Sequence, residues 1–202
     1  MNTAEWIRLA AERIAADAAH LSRLDAAIGD GDHGHNLERG FAAAVAALPE
    51  GDAPPGKVLL AAGRAIVAKT GGASGPLYGT ALRRAGKALG DTPDLDAAGL
   101  GAVLQAALEG VRELGQAGEG DKTMVDALAP AVAAYEEALA AGGDLAACAA
   151  AAAEAADQGA QATVPMQARK GRASYLGPRS TGHLDPGAAS TALLLRALAD
   201  VA

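Results

Sequence analysis

The sequence predicts an all-helical fold, and three observations carry that prediction. Apolar residues recur at helical spacing along nearly the whole chain, and no stretch alternates long enough to make a useful strand. Half of the 202 residues are hydrophobic but only 2% are aromatic, so the apolar content is mostly Ala with Leu and Val. Alanine is the best helix former, and small side chains favour closely packed helices. Helix start and stop signals then divide the chain into eight helical segments.

The first helix is expected over 3–27, with Thr3 as N-cap and Trp6, Leu9, Ile14, Leu21 and Leu24 on its core face. The second follows an Asp-Gly motif and runs over 36–48, stopping at Pro49. The third covers 56–69. "TGGASGP" breaks the chain, and Ser74 with Pro76 opens a fourth helix that ends near Gly90. "DTPDLDAAG" restarts the chain for a fifth helix reaching 115. After the loop "QAGEGD" the sixth covers 123–142, where Pro130 either kinks the helix or marks its true first turn. Asp144 caps a seventh that reaches 161. Asp185 as N-cap and Pro186 at the first helical position open the eighth. No internal repeat or linker divides the chain, so one domain is expected over 1–202.

Charge and composition exclude several functions. The net charge of −7 and a pI near 5.0 argue against a nucleic-acid binder, which needs a basic face. No apolar run has the length of a membrane span; "LAACAAAAAEAA" is too short and too Ala-rich. The N-terminus lacks a signal-peptide pattern, and the single cysteine, Cys148, excludes an internal disulfide. Cys148 reads as a buried structural thiol, and a reducing cytoplasm is the expected location. Against this acidic background the segment 163–185 stands apart. It shows no periodicity and holds Arg169, Lys170, Arg172 and Arg179 against one acid, Asp185. Its length points to function.

The chemistry is concentrated in "LDAAIGDGDHGHN", residues 24–36. "GDGDHG" matches the dinucleotide-binding spacing letter for letter, but an amphipathic helix precedes it where a strand is required. "GDKT" at 120–123 resembles a P-loop, but Asp121 separates its Gly from Lys and the upstream strand is missing. A metal seat is the better reading. Asp25 ends a helix, Asp30 and Asp32 lie on a Gly-bordered turn, and three carboxylates can then face one point. They are too few for a calcium cage but suit Mg²⁺, which keeps waters and takes phosphate oxygens. His33 and His35 make zinc a weaker alternative, and a solvated helix–helix turn is the bland one. "GGASGP", "GDKTM" and "DPGAAS" add free backbone N–H groups at three helix starts, each a ready anion site. Acids for Mg²⁺, helix ends for phosphates and a basic loop together describe a phosphate site.

The stretches "LDAAIGDGDHGHNLERGF", "GGASGPLYGT", "GDKTMVDAL" and "MQARKGRASYLGPRSTGHLDPGA" resemble, in order, the nucleotide-binding L subunits of dihydroxyacetone kinases. The resemblance runs from about residue 20 to 195. It implies an eight-helix antiparallel barrel in which Asp25, Asp30 and Asp32 bind two Mg²⁺ ions that hold the phosphates of ADP or ATP. It places nucleotide contacts on His33, Gly34, His35, Asn36, Ala73, Ser74, Gly115, Thr123, Met124, Arg172, Asp185, Pro186 and Gly187, with Asp30, Asp32 and Arg172 serving catalysis. Many relatives carry an apolar residue at the position of His35, so a contact there runs through the backbone. The implied reaction is phosphoryl transfer to dihydroxyacetone held by a separate K subunit. In the phosphotransferase-system form the bound ADP is rephosphorylated by a phosphohistidine protein, the M subunit. Three alternatives stay open: an ATP-dependent kinase subunit, a kinase for another small ketose, and a nucleotide-sensing regulatory protein. A helical barrel would gather the site at one rim, the expected docking face of the partner. His20, His183, Tyr78 and Tyr175 have packing or loop-ordering roles as their plainer readings.

Overall fold

A computed structural model describes all residues, 1–202. It contains eight α-helices and one 3-10 segment and no strand. The helices are α1 (Thr3–Ile28), α2 (His33–Ala46), α3 (Pro55–Lys69), α4 (Ser74–Leu89), α5 (Ala97–Gly115), α6 (Val125–Ala140), α7 (Leu145–Ala162) and α8 (Pro186–Ala199), with the 3-10 segment at Arg172–Ser180. Each helix packs on the next, and α8 packs back on α1, so the eight close into an antiparallel ring.

The expected caps at Asp144 and Asp185 form, each accepting an N–H three residues on, at 2.9 Å and 2.8 Å. Asp96 does the same for α5. Several boundaries differ from expectation: α2 ends at Ala46 and α6 covers Val125–Ala140, each inside its expected limit. The α1 cap is Asn2, whose side chain accepts from Glu5 N–H, while Thr3 is already helical and buried. Helix α2 begins three residues early, at His33, because Asp25 supplies the cap from α1. Helix α6 starts at Val125 and runs through Pro130. Pro130 has no N–H to offer the Asp126 carbonyl. Gly159 of α7 crowds that carbonyl, where any side chain would collide with it.

One continuous core of 42 buried residues fills the ring, drawn from every helix. Trp6, Ile14 and Leu21 are buried as expected, while Leu9 and Leu24 are half-buried and Ile7 joins the core. The Ala-rich α7 contributes Ala149, Ala152, Ala156 and Cys148, all fully buried. Small residues there let α6 and α8 approach closely, so alanine does the packing that aromatics do elsewhere. The α3–α4 pair is closer still. Gly56 and Gly63 face Gly79 and Gly86, seven residues apart on both helices, and a Cβ on Gly63 would lie 2.8 Å from the Gly79 carbonyl. No helix is long and apolar enough to cross a membrane.

Candidate functional site

The ring alternates helix direction, so the C-terminal ends of α1, α3 and α5 meet the N-terminal ends of α2, α4, α6 and α8 at one rim. A cavity of about 570 Å³ opens there. Its wall combines acids (Asp25, Asp30, Asp32, Asp185), bases (Lys122, Lys170, Arg172) and an apolar strip of Leu77, Val111, Leu114 and Ala117.

The acidic end is built by the turn between α1 and α2. Asp25 is the buried member. Its Oδ2 accepts Asp32 N–H at 2.9 Å and His33 N–H at 3.3 Å, capping α2 from outside. Asp32 therefore stands at the cap position with its own carboxylate unspent. Gly29 has to be glycine here, because a Cβ would collide with the Asp25 carboxylate, and Gly31 turns the chain with φ of 78°. The result brings one carboxylate oxygen each from Asp25, Asp30 and Asp32 within 4.8 Å of one another. Such a cluster is repulsive unless a cation joins it. The donors are all oxygen, and Asp30 and Asp32 are exposed, leaving room for water and phosphate ligands. That set fits a hard dication such as Mg²⁺. The histidines do not complete a zinc set. His35 is exposed and faces Glu38, and His33 turns to Ser190.

Arg172 reaches over from the 3-10 segment and pairs with Asp30 at 3.0 Å. His33 Nε2 lies 2.9 Å from Ser190 Oγ, and burial lowers its pKa despite the nearby Asp25 and Asp32 carboxylates. Ser190 Oγ is 2.7 Å from the Tyr78 hydroxyl, which also meets Thr191 Oγ1 at 2.8 Å and the Gly187 carbonyl at 3.1 Å. This buried network ties α4 to the first turn of α8, and burial pushes the Tyr78 phenol up to about 12. Asp185, the α8 cap, is buried and pushed up to about 7.

Most of the expected site residues line the cavity: the three Asp, His33, Ala73, Ser74, Gly115, Thr123, Met124, Arg172, Asp185, Pro186 and Gly187. Gly34, His35 and Asn36 do not. Gly34 packs on the Ala18 carbonyl, His35 points to solvent, and Asn36 is buried against Gly71 with its Nδ2 unpartnered. Residues that motif reading missed are the apolar strip, Lys122 and Asp126. Asp126 takes Thr123 N–H at 2.7 Å and Gly120 N–H at 2.5 Å, holding the α6 entry loop. The T-x-x-D spacing at 123–126 is the signal that identifies it. Tyr175 is 88% exposed and His183 and His20 are exposed, so none of these three packs in the core.

The family model described as the DAK2 domain matches residues 27–200. The chain belongs to the DAK2-domain family. Among curated relatives, it is 45% identical to the ADP-binding subunit DhaL of PEP-dependent dihydroxyacetone kinase 1 from Listeria innocua, over 96% of this chain and 92% of that one. It is 39% identical to the corresponding DhaL subunit from Escherichia coli, over 96% and 93%. It is also 42% identical to a D-erythrulose kinase from Mycolicibacterium smegmatis, but there it spans 94% of its own length and 33% of the relative's. The fold is shared with the dihydroxyacetone kinase of C. freundii, at a TM-score of 0.75 and 27% identity, covering all of this chain and 35% of the other. A second structure of that kinase, in complex with AMP-PNP and Mg²⁺, matches with a TM-score of 0.72 and 28% identity. These relatives are kinases or kinase subunits, and the DAK2 chain described here is a member of a phosphotransferase family.

Proposed function

We propose that residues 1–202 act as one nucleotide-binding domain, the ADP- and ATP-binding subunit of a dihydroxyacetone kinase. The observation that carries this reading is the carboxylate triad of Asp25, Asp30 and Asp32 at one end of a cavity whose other polar edges are helix N-termini. Similarity over more than nine tenths of two DhaL subunits, each named ADP-binding, supports it. In this reading the triad holds two Mg²⁺ ions, which when bound neutralise phosphate charge and orient the phosphates. The first turns of α4 at Ala73–Ser74 and of α6 at Met124 offer N–H donors to the phosphates, while Thr123, Asp185, Pro186 and Gly187 shape the wall around them, the N–H groups of Thr123 and Asp185 being held by Asp126 and Thr163. Gly115 and the apolar strip receive the base. His33, its pKa lowered by burial, contributes a hydrogen-bonding edge. Gly34, His35 and Asn36 act through the backbone of the α2 first turn and its packing.

Arg172 is the group whose role changes on binding. A cation on Asp30 would compete with the guanidinium, and Arg172 would then be a positive side chain available to the phosphates. In this reading the hydroxyl acceptor and the base that deprotonates it belong to a partner K-type subunit carrying dihydroxyacetone. Retained ADP would be rephosphorylated in place by a phosphohistidine M-type subunit, in the cytoplasm. A second reading, transfer to erythrulose, is favoured by the 42% identity to a D-erythrulose kinase. Both use the same site on this chain.

The test is Asp30→Ala with calorimetric titration of ADP. The substitution abolishes Mg²⁺-dependent binding, and an unchanged affinity refutes the assignment. Mass spectrometry of nucleotide released from denatured protein separates the donors. Near-stoichiometric ADP supports a retained cofactor, whereas an empty chain that takes up ATP with Mg²⁺ supports an exchanging kinase.

A further inference from the structure

We infer that Lys122 is a positioning residue, clasping both ends of the 163–185 segment so that Arg172 stands over the carboxylate triad. Lys122 lies on the loop between α5 and α6, is 1% exposed, and holds a left-handed backbone at φ of 62°. Its Nζ donates to the carbonyl of Thr163, the first residue of the segment, at 2.7 Å. It also donates to the carbonyl of His183, near the segment's end. One ammonium thus bridges the two strands of chain where they leave and re-enter the ring. The neighbouring Asp121 adds a third hold, its carbonyl accepting Arg169 N–H at 3.0 Å.

The base of the segment is otherwise closed by Gly182 N–H to the Val164 carbonyl at 2.7 Å and Asp185 N–H to Thr163 Oγ1 at 3.0 Å. Its tip is different. Arg172 is 71% exposed at the side chain, and its pair with Asp30 is a surface ion pair of the kind that holds little by itself. The tip is therefore aimed jointly, by the clasp at the base and by the packing of Ala168 and Ala173 on Ile28 of α1. A buried ammonium is costly to desolvate, and a methionine would fill the same volume without that cost. Burial lowers the Lys122 pKa, in keeping with that cost. Spending a charge on two carbonyls makes physical sense where the geometry of the chain above them matters.

This inference rests on the nucleotide reading, and the experiment separates the two. The full chain is loaded with a fluorescent ADP analogue and Mg²⁺, and release is followed by stopped flow. Lys122→Met and Arg172→Ala each speed release about tenfold, the factor a charged hydrogen bond is worth. Because Lys122 acts through Arg172, the double variant releases no faster than Arg172→Ala alone. Multiplying effects, or wild-type release from Lys122→Met, overturn the clasp. Absence of Mg²⁺-dependent binding by the wild type would instead overturn the nucleotide reading. If Lys122→Met does not fold, Lys122→Arg supplies the test by hydrogen exchange without nucleotide. Its wider head cannot sit between the Thr163 and His183 carbonyls as the ammonium does, so the Gly182 and Asp185 amides at the segment's base exchange faster than in wild type, and unchanged protection there overturns the clasp.

Discussion

Gly34→Ala is expected to destabilise the protein by roughly 2 kcal/mol, although alanine is the better helix former. The substitution lies in the first turn of α2, where α2 crosses α1 beneath the Asp motif. Replacing a helical glycine gains at most about 1 kcal/mol in propensity. Against that, the new Cβ would collide with the Ala18 carbonyl oxygen, lie 2.7 Å from the carbonyl carbon and 2.9 Å from Ser22 Oγ. The obstacle is the backbone of α1, which cannot rotate away as a side chain does. Overpacking costs about 1–3 kcal/mol, and a backbone clash belongs at or above the top of that range. For a chain of this size each kcal/mol moves the Tm by about 2–4 °C, so a fall of about 4–8 °C is expected in scanning calorimetry. Gly118→Ala is the control, since no atom lies within 4 Å of its Cβ position. Spreading α1 from α2 also opens the carboxylate triad, so Mg²⁺-dependent ADP binding weakens in step. A Gly34→Ala protein as stable as wild type, or more so, would refute the argument that close approach fixes this residue.

Tyr78→Phe removes the hydroxyl that joins α4 to Ser190 and Thr191, but both keep the Gly187 carbonyl, so it should cost only about 0.5–1.5 kcal/mol in urea unfolding. Asp185→Asn keeps a good N-cap oxygen but removes a buried acid pushed from 3.8 to about 7. Between those values the folded chain holds a proton that the unfolded chain has lost. The contribution of Asp185 is therefore full below 3.8 and is lost as pH rises toward 7. Urea midpoints of wild type should fall relative to the Asn variant across that window, and parallel profiles would contradict the shift. Cys148, fully buried, should react with a thiol reagent only on unfolding, and rapid labelling of native protein would show the α6–α7 contact to be open.

Much of this architecture is legible in the sequence because its signals are local. Asp144 and Asp185 declare their helices, and Pro186 and Gly90 mark a start and a stop by their own backbone rules. The grouping of Asp25, Asp30 and Asp32 follows from the glycines between them. What escapes local reading depends on partners distant in sequence. Helix α2 starts at His33 because a carboxylate eight residues back caps it. The segment 163–185 lacks periodicity yet contains a 3-10 run, because its order comes from a small cluster of Ala168, Ala173 and Ile28 and from the Ser180 hydroxyl. Nothing in "GDKTM" announces that Lys122 is buried, since its acceptors lie 41 and 61 residues away. The seven-residue glycine spacing of α3 and α4 is visible in the letters but acquires meaning only once the two helices are paired.

The alternation of helix direction has a consequence for the opposite rim. The connections over 47–54, 90–96 and 141–144 gather there, and none of them contributes to the cavity wall. The molecule thus has one face constrained by chemistry and one constrained only by chain closure. Gly51 and Gly142 mark open bends on that second face, with no atom within 4 Å of either Cβ position. Foreign sequence spliced in at those bends would burden neither the carboxylates nor the clasped segment. A fluorescent reporter or an affinity handle can be carried there, and so can another folded unit, with the ligand-facing rim left free.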